Sequence, residues 1–497
     1  VGAGTMIISG TNTYTGTTTV GAGTLMVNDL APLGFSTNVG LGSGLLVLSN
    51  ATVSVPITAS NIYGSNIKWT CPAAINIISG AITISNGLLL NINSAAGTSA
   101  GAELHITGGV NSSGGNLEIF DDNSGSSDPG NVWIETTPIN LGTGELRGFG
   151  SHINVANNVV GAIHPYYGRR MSLEVDQAFV GAPALTVGNP SWGKLDLNGH
   201  DLLVSSLTDS GDSGDTVTSD RNATLIVSNN VPDTYGGLLA GNGLSLLKTG
   251  TGRLVLGADH TYAGNTTVAG GVLEIDGMIG SGSGQVLVSN GTLSGVGTIL
   301  DAVTVEAGST LSPGAAGAGT LTIDNSLVLA GTTAVAVGKS GTSITASGVQ
   351  GVTDLTYGGA LNVSVSGPTA LAVGDTIKLF DATSYSGVFA AVSPAPGFGL
   401  AWDQSSLAVD GTLKVVASPL NTAPTNLTWS AGAGSLTLSW PVDHLGWRLL
   451  AQTNNLQSGV SRNPLDWAMV PGSDQTNLVS VPLSPGKPSE FYRLVYP

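Results

Sequence analysis

Two short stretches of the sequence concentrate aspartate where it could bind a cation or take part in acid–base chemistry. The first runs from Asp121 and Asp122 to Asp128, and the second from Asp209 to Asp215, each mixed with Ser and Gly. Carboxylate and carbonyl oxygens are the ligands that Ca2+ takes in proteins. Neither stretch has the glutamate of a calcium-binding loop or the nonapeptide of RTX repeats, and this composition is typical of a solvated turn. We expect solvated turns at both, with calcium binding as the alternative.

Glu103, His105 and Glu118 are further residues that a polysaccharide lyase or glycoside hydrolase could use, because such enzymes need carboxylates or a base on one face. Each of the three alternates with apolar neighbours, as outward residues of a β-strand do. Together with Asp121 and Asp122 they form no recognisable acid–base constellation. We therefore predict that the protein is not an enzyme, with no catalytic residue and no cofactor.

One aromatic and basic cluster, His164-Pro-Tyr-Tyr-Gly-Arg-Arg170, could contact a sugar or a neighbouring subunit. We expect instead a loop packed against the wall of the fold. The 6 His are scattered without metal-ligand spacing, and Cys71 is the only cysteine, so neither a disulfide nor a thiolate zinc cluster can form within the chain. We expect Cys71 to be a small buried residue and predict no metal site.

Composition narrows the class of protein. Of 497 residues 73 are Gly and only 9% are charged, while 15 basic and 32 acidic residues give a net charge of −17. This balance, without a basic patch, argues against nucleic acid as a partner. No apolar run is long enough to span a membrane. The chain opens with Val-Gly-Ala-Gly-Thr, without an initiator Met or a signal-peptide pattern, so we expect a trimmed or mature chain, and its extracellular assignment rests on the architecture.

The elements that position these residues are strands. Apolar residues recur at spacing two in short bursts, each followed within a few residues by Gly, Asn, Asp or Ser, and helical periodicity is almost absent. Separate antiparallel sandwiches would need linkers at intervals of about 100 residues. Only one such junction is present, near residue 420. The pattern therefore predicts an all-β protein, with a long parallel β-helix over residues 1–417.

A repeat supports this architecture. Residues Gly4–Val27 align without a gap with Gly252–Ile275, so that Tyr14 matches Tyr262 and a Thr-Thr-Val run follows each tyrosine. The unit has the length of about one coil of a solenoid. We expect the valine of each Thr-Thr-Val run to point inward. The matching glycines indicate positions that need a positive φ or close stacking of coils.

These two segments resemble the autotransporter-associated β-strand repeat of β-helical passenger regions in bacterial surface proteins. Leu195–Asp201, Leu246–Gly252 and residues 291–325 resemble the usual neighbours and later coils of that repeat. The resemblance implies a right-handed parallel β-helix, secreted to the exterior or the cell surface of a diderm bacterium. It implies no activity.

The last part of the chain reads as a second domain. Residues 421–425 are a plausible linker, and residues 421–497 contain half of the 8 Trp of the chain. Apolar and polar residues alternate between turns in this region, which predicts a small antiparallel β-sandwich that loosely resembles a fibronectin type III module.

The sequence thus predicts an extracellular structural or adhesive surface protein. Because the repeat begins at Gly4 without a polar cap, and an uncovered parallel edge is a template for another chain, we predict head-to-tail self-association into a fibre. The alternatives are a monomeric adhesin rod that binds cell-surface polysaccharide and, less favoured, a β-helical polysaccharide lyase or glycoside hydrolase.

Overall fold

The computed structural model divides into two compact units, which are described separately. The coil unit comprises Val1–Ala336, Ala346–Asn362 and Leu379–Ala391, and the tail unit comprises Val337–Thr345, Val363–Lys378 and Val392–Pro497. The residues that the structure describes are 3–29, 33–60, 65–70, 75–85, 87–94, 102–120, 132–166, 170–188, 192–211, 214–314, 319–397, 399–419, 421–432, 434–454, 457, 459–483 and 489–496.

Strands dominate both units. The strands of the first half of the chain are β1 (Thr5–Ser9), β2 (Thr15–Val20), β3 (Thr24–Asp29), β4 (Phe35–Leu41), β5 (Leu45–Val53), β6 (Ile57–Ala59), β7 (Ser65–Thr70), β8 (Ile75–Ile78), β9 (Ile82–Ile84), β10 (Leu89–Ser94), β11 (Glu103–Ile106), β12 (Val110–Asn111), β13 (Asn116–Phe120), β14 (Val132–Glu135), β15 (Glu145–Phe149), β16 (Ser151–Asn154), β17 (Ala162–Pro165), β18 (Arg170–Leu173), β19 (Ala184–Val187), β20 (Lys194–Asp196), β21 (Leu202–Val204), β22 (Ser206–Asp209), β23 (Thr216–Thr218), β24 (Ala223–Ser228), β25 (Asp233–Tyr235) and β26 (Leu238–Ala240).

The strands of the second half are β27 (Leu244–Thr249), β28 (Arg253–Leu256), β29 (Thr266–Val268), β30 (Val272–Ile275), β31 (Met278–Ile279), β32 (Gln285–Val288), β33 (Thr292–Gly295), β34 (Thr298–Ile299), β35 (Ala302–Val305), β36 (Thr310–Pro313), β37 (Thr320–Ile323), β38 (Leu327–Leu329), β39 (Thr332–Ser340), β40 (Ser343–Ala346), β41 (Gly348–Tyr357), β42 (Ala360–Ser366), β43 (Thr376–Lys378), β44 (Phe380–Gly387), β45 (Ala391–Ser393), β46 (Leu400–Asp403), β47 (Thr412–Ala417), β48 (Thr428–Gly432), β49 (Ser435–Ser439), β50 (Arg448–Asn454), β51 (Ala468–Met469), β52 (Leu478–Pro482) and β53 (Ser489–Val495). The described helices are α1 (Leu407–Asp410) and the 3-10 turns Val442–His444, Pro464–Asp466 and Ser473–Gln475. None of these helices is long enough to span a membrane.

The coil unit is a parallel β-helix, as predicted. Strands that are distant in sequence pair in parallel and in register, so equivalent residues of successive coils form columns. One inward column consists of Leu117, Leu146, Ile163, Leu185 and Leu207, all fully buried. Because neighbouring coils lie about 4.8 Å apart, each aliphatic side chain packs on the one below and above it. The apolar residues that recur at spacing two in the sequence are thus the inward-facing residues of each strand.

A second inward column shows the same arrangement in the later coils. Leu254, Leu273, Leu293 and Leu311 pair in register along β28, β30, β33 and β36, and all four are fully buried. The all-β class and the parallel helix predicted from the sequence are therefore confirmed in this region.

Buried polar side chains satisfy backbone groups at the corners between strands. Asp301, fully buried, accepts the backbone N–H groups of Ser281, Gly282 and Gly284 at 3.2, 2.8 and 3.1 Å. Asn158, also fully buried, accepts the N–H of Ile139 at 2.9 Å. Such bonds make the tight corners possible, because an unpaired backbone group inside the wall would cost about 1–3 kcal/mol.

The two repeat segments share a side-chain contact as well as a sequence. The hydroxyl of Tyr14 lies 3.2 Å from that of Thr18, and the hydroxyl of Tyr262 lies 2.6 Å from that of Thr266. In both cases the threonine follows the tyrosine by four residues, so the shared hydroxyl pair links the start of each Thr-Thr-Val run to the preceding turn.

The inward valines and the glycine turns of the repeat also correspond. Val20 and Val268 are both fully buried, as predicted. Gly23 and Gly271 both have positive φ, at 72° and 61°, a conformation that side chains with a Cβ rarely adopt. The glycine that both repeat segments share at this turn therefore has a conformational cause.

The three-stranded sheets of the tail unit are antiparallel. Strands β43, β47 and β46 form one three-stranded antiparallel sheet, with the single-turn helix α1 before β47. This sheet lies within the range 1–417 assigned to the β-helix from the sequence, where alternation alone does not distinguish antiparallel from parallel pairing. The boundaries at 417 and 421 stay predictions.

The final part of the tail unit has two three-stranded antiparallel sheets, β48-β49-β52 and β51-β50-β53. Leu438 and Trp440 from one sheet region and Leu449 from the other form a buried core, with further apolar residues packed against it: Leu427, Leu436, Val470, Val479, Tyr492 and Leu494. The predicted small antiparallel assembly is confirmed. Its likeness to a fibronectin type III module stays a prediction.

The segment expected to be a linker is bonded to the sandwich. His444, which is 3% exposed, donates from Nε2 to the Ala423 carbonyl at 2.6 Å and from Nδ1 to the Asp443 carboxylate at 2.7 Å. The Trp447 indole N–H donates to the Asn421 carbonyl at 2.8 Å. Since both imidazole nitrogens donate, the ring is protonated in this arrangement. We call these five residues the linker clamp.

A matched pair of substitutions on β27 tests the inward and outward assignment. Leu246 is 1% exposed and faces inward, whereas its neighbour Leu247 is half-buried on the outside. Leu246→Ala should lower the free energy of unfolding by about 2–5 kcal/mol because it leaves a cavity. Leu247→Ala should cost about 1 kcal/mol or less. Urea unfolding midpoints measure both, and equal shifts would contradict the assignment.

Because of the linker clamp, we expect the stability of the tail unit to depend on pH. Burial by itself lowers the pKa of His444, but the bonds to the Ala423 carbonyl and the Asp443 carboxylate outweigh it, so the pKa is raised above its usual value. A raised pKa stabilises the fold fully below the unfolded-state value of about 6.5, and this contribution is lost as pH rises through the folded-state pKa. The melting temperature of the tail unit, followed by tryptophan fluorescence, should therefore fall from pH 6 to 8. His444→Gln should remove this dependence; an unchanged pH profile in that variant would refute the role of His444.

Candidate functional site

The strongest clustering of titratable residues involves Glu103 and His105, two of the residues singled out in the sequence. His105 on β11 pairs in register with Trp133 on β14, which pairs with His152 on β16. The His105 and Trp133 ring centroids are 6.1 Å apart with planes 9° from parallel, and those of Trp133 and His152 are 3.9 Å apart with planes 5° from parallel. Three outward residues of successive coils thus form one continuous stack.

Carboxylates fix both imidazoles of this stack. His105 Nδ1 lies 2.7 Å from Glu135 Oε1 and His105 Nε2 lies 3.0 Å from Glu103 Oε2. His152 Nδ1 lies 2.7 Å from Glu174 Oε1. We call Glu103, His105, Trp133, Glu135, His152 and Glu174 the titratable ladder.

The titratable ladder is arranged for packing. The imidazoles of His105 and His152 cover the two faces of Trp133, so no face is left on which a sugar ring could stack. Both nitrogens of His105 are engaged by carboxylates, so neither is open to a substrate. Cross-strand aromatic and ionic pairs of this kind stabilise the coils that carry them.

The remaining sequence candidates are dispersed. Glu118 pairs in register with Arg147, whose guanidinium bonds to Glu145 at 2.5 Å, so Glu118 is not part of the ladder. Asp215 is fully buried and accepts the backbone N–H groups of Gly193 and Ser210 at 3.0 and 3.1 Å. Its carboxylate therefore serves the fold.

Some candidates lie outside the described residues: Asp121, Asp122, Asp128, Asp212, Cys71, Tyr167 and Arg169. In the part of the chain that the structure does describe, no group of three His, Cys, Asp or Glu is placed to hold a metal ion.

The aromatic and basic cluster at 164–170 packs against the wall where it is described. Tyr166 is 5% exposed, and His164 Nε2 donates to the Gly188 carbonyl at 2.5 Å. Arg170 Nη1 donates to Asp196 Oδ2 at 2.6 Å. The polar groups of His164 and Arg170, which belong to β17 and β18, therefore bond within the coil unit, and residues 167–169 between the two strands lie outside the described residues.

A groove lined by none of the candidate residues from the sequence lies on the outside of the later coils. It consists of two adjoining depressions that share Asp201. One has a volume of about 430 Å3 and is lined by Asp201, Asn222, Ala223, Thr224, Asn242, Gly243, Ser245, Gly264 and Asn265. The other has a volume of about 560 Å3 and is lined by Asp176, Gln177, Phe179, Gly181, Asp201, Leu203 and Ile226. We call the two together the Asp201 groove.

In-register stacking explains the lining of the Asp201 groove. Leu203 pairs with Ile226 in β21 and β24, and Thr224 pairs with Ser245 in β24 and β27. Outward residues two positions apart on a strand belong to neighbouring columns. A polar column and an apolar column therefore run side by side across successive coils.

The charge of the Asp201 groove is negative. Asp176 and Asp201 are the charged side chains among its described lining residues. Asp176 Oδ1 lies 2.8 Å from Nδ1 of His200, while Asp201 Oδ1 accepts the backbone N–H of Thr224 at 2.7 Å. The groove offers carboxylate, carboxamide and hydroxyl groups beside an apolar rim, which is suited to hydrogen bonding and poorly suited to an anion.

The sequence contains one signal for this groove. A polar residue stands directly before an inward leucine at two places: Asp201 precedes Leu202 of β21, and Ser245 precedes Leu246 of β27. The segments between these strands differ in length, so the sequence does not show that the polar residues share a column. The structure brings them together.

Comparison with known proteins identifies the two repeat segments. Residues 1–27 and 246–275 match the family described as Passenger-associated-transport-repeat. They include the Tyr14 and Tyr262 segments that carry the shared hydroxyl pair. The predicted resemblance to β-helical autotransporter passengers is thereby confirmed.

Two similar proteins are known over parts of the chain. One, named Adhesin BmaC autotransporter, from Brucella suis biovar 1, is 27% identical over 328 residues, covering 55% of this chain and 10% of that protein. The other, named extracellular serine protease, from Serratia marcescens, is 46% identical over 68 residues, covering 14% of this chain and 6% of that protein. The matched regions span a tenth or less of either relative. These matches confirm the predicted location, a secreted or cell-surface protein.

Proposed function

We propose that this secreted or cell-surface protein is a structural or adhesive protein without catalytic activity. The observation that carries the proposal is the titratable ladder: the residues best suited to acid–base chemistry are engaged with one another along the coils. The repeat segments and the similarity to a protein named an adhesin support the same role.

Catalysis is the second candidate, because one similar protein is named a serine protease. That match covers 68 residues, or 14% of this chain, and protease activity is said of that protein. In the described coils, His105 and His152 both bond to carboxylates and stack on Trp133. A nucleophile–base pair needs a base with a nitrogen in reach of a hydroxyl, and both nitrogens of His105 bond to carboxylates instead, which favours the non-catalytic role for this residue.

Head-to-tail self-association into a fibre is the finer form of the proposal. Met6 on β1 continues the inward column of Leu25 and Leu46, yet it is 51% exposed, and Ile7 beside it is 62% exposed. Exposed apolar side chains on one strand favour a contact with another chain. A contact between two different surfaces of identical chains propagates as a filament. The alternative is a monomeric adhesin that binds cell-surface polysaccharide.

Attachment and turnover assays test the role together. Beads coated with the folded chain should bind to cell surfaces, whereas beads coated with heat-unfolded chain should bind at background level.

The folded chain should show no turnover of neutral or acidic polysaccharides or of casein. Polysaccharide turnover that is lost in Asp121→Asn or Asp122→Asn would establish a hydrolase or lyase, and equal attachment of folded and unfolded chain would remove the adhesive role.

Analytical ultracentrifugation and negative-stain microscopy test assembly. The chain should form linear species whose length grows with concentration, and Ile7→Ser with Met6→Ser should shift it toward monomer because both changes remove exposed apolar surface. Val231→Ser, at a residue that is 62% exposed elsewhere on the coil unit, is the matched control and should assemble normally. A chain that stays monomeric at high concentration supports the monomeric adhesin.

A further inference from the structure

We propose that the Asp201 groove binds a neutral oligosaccharide that lies along the stack of coils. The inference deepens the adhesive role proposed above and rests on it. It begins from the pairing of a polar column with an apolar column on one outward face, which extends over successive coils.

The polar column consists of one residue from each of four successive coils. Asp201, Thr224, Ser245 and Asn265 occupy it: Thr224 and Ser245 are register partners, Thr224 N–H donates to Asp201, and Leu246, next to Ser245, donates its N–H to the Asn265 carbonyl. The three intervals between four coils, at about 4.8 Å each, give a column about 14 Å long. That length matches a short oligosaccharide lying parallel to the column.

The apolar column runs beside the polar one. Leu203, Ile226 and Leu247 pair in register across β21, β24 and β27, each two residues after a member of the polar column. Two strand residues span about 6.6 Å, so the columns lie within the width of one small ring. Leu203 is 40% exposed, which leaves apolar surface open to a ligand. A sugar ring has this same division, with hydroxyls at its edge and C–H groups on its face.

Hydrogen-bonding atoms remain available on the polar side. Asn222, Asn242 and Asn265 are exposed, and each carboxamide can both donate and accept. Asn265 Oδ1 accepts the Gln285 N–H at 3.1 Å, which fixes the side chain and leaves its Nδ2 for a ligand. Groups that both donate and accept suit hydroxyls, since a hydroxyl also does both.

Two glycines form the floor between the walls. A Cβ on Gly243 would lie 2.2 Å from the Arg221 carbonyl oxygen, and a Cβ on Gly264 would lie 2.3 Å from the Leu244 carbonyl oxygen. Coil stacking therefore requires glycine at both positions. The bare backbone that results makes the surface concave, so the depression is a consequence of the fold rather than of side-chain rotation.

Charge selects the class of saccharide. The carboxylates of Asp176 and Asp201 belong to the lining, and the chain as a whole carries a net charge of −17. Uronic acids and sulfated sugars would be repelled by both the local and the overall charge. A neutral sugar avoids this repulsion and still uses the carboxylate as a hydrogen-bond acceptor.

Titration of the full chain with defined hexaoses tests the assignment. Cellohexaose, maltohexaose and N-acetylchitohexaose are the neutral probes, and hexagalacturonate is the anionic probe, each followed by isothermal calorimetry at two salt concentrations. At least one neutral probe should bind, with little dependence on salt. Asn242→Ala and Leu203→Ala should each weaken its binding by about fivefold or more, the loss expected for one hydrogen bond or one apolar contact.

Matched controls lie on the same unit but outside the groove. Asn290→Ala removes an exposed asparagine and Val328→Ala removes an outward aliphatic residue that is 36% exposed, and neither should change the affinity. Circular dichroism of every variant verifies the fold. Equal weakening by groove and control variants, or none by either, places the saccharide site elsewhere and overturns the assignment.

The remaining outcomes separate this inference from the adhesive role. Binding of hexagalacturonate alone would show that the protein binds anionic and not neutral saccharides. If no neutral probe binds, the proposal that the Asp201 groove is a saccharide site is wrong. In either case, attachment of coated beads that is unchanged by Asn242→Ala and Leu203→Ala would leave the adhesive role standing. Loss of attachment by the unaltered chain would count against the proposed function itself.

Discussion

In-register stacking of parallel coils is the constraint on which the coil unit depends. Because each coil lies about 4.8 Å from the next, a side chain that faces inward must pack on its register partners above and below. Leu146 does so between Leu117 and Ile163, all three fully buried. If one strand shifted by a single residue relative to its neighbours, its inward side chains would face outward. The register of the strands is therefore fixed, whereas the length of the corners between them can vary.

The same constraint organises the outer surface. It stacks His105, Trp133 and His152 from three coils, and it places Leu203 and Ile226 in one apolar column. In the first set, both nitrogens of His105 and Nδ1 of His152 bond to carboxylates, as in a structural ladder. The second lies beside hydrogen-bonding groups that are open to solvent. Both surfaces arise without any local motif, because their members meet only through stacking.

Polar residues inside the coils are tolerated where the backbone supplies partners. Lys248 is fully buried and donates to the carbonyls of Thr249, Gly250 and Gly270, and burial lowers its pKa to about 8. His260 accepts the Leu239 N–H at 3.1 Å, and burial lowers its pKa to about 4, so it is neutral at pH 7. Both are polar residues at buried positions, and the β-helix continues on either side of them.

The sequence by itself determined the all-β class, the parallel helix, the inward valines Val20 and Val268 and the outward placement of Glu103 and His105. Spacing two decides which side of a strand a residue occupies, and this is a local property that the sequence displays. Only the tertiary structure decided that His105 meets Trp133 and that an amphipathic groove forms around Asp201. The reason is physical: columns depend on the lengths of the corners between strands, which differ from coil to coil and which the alternation of side chains does not encode.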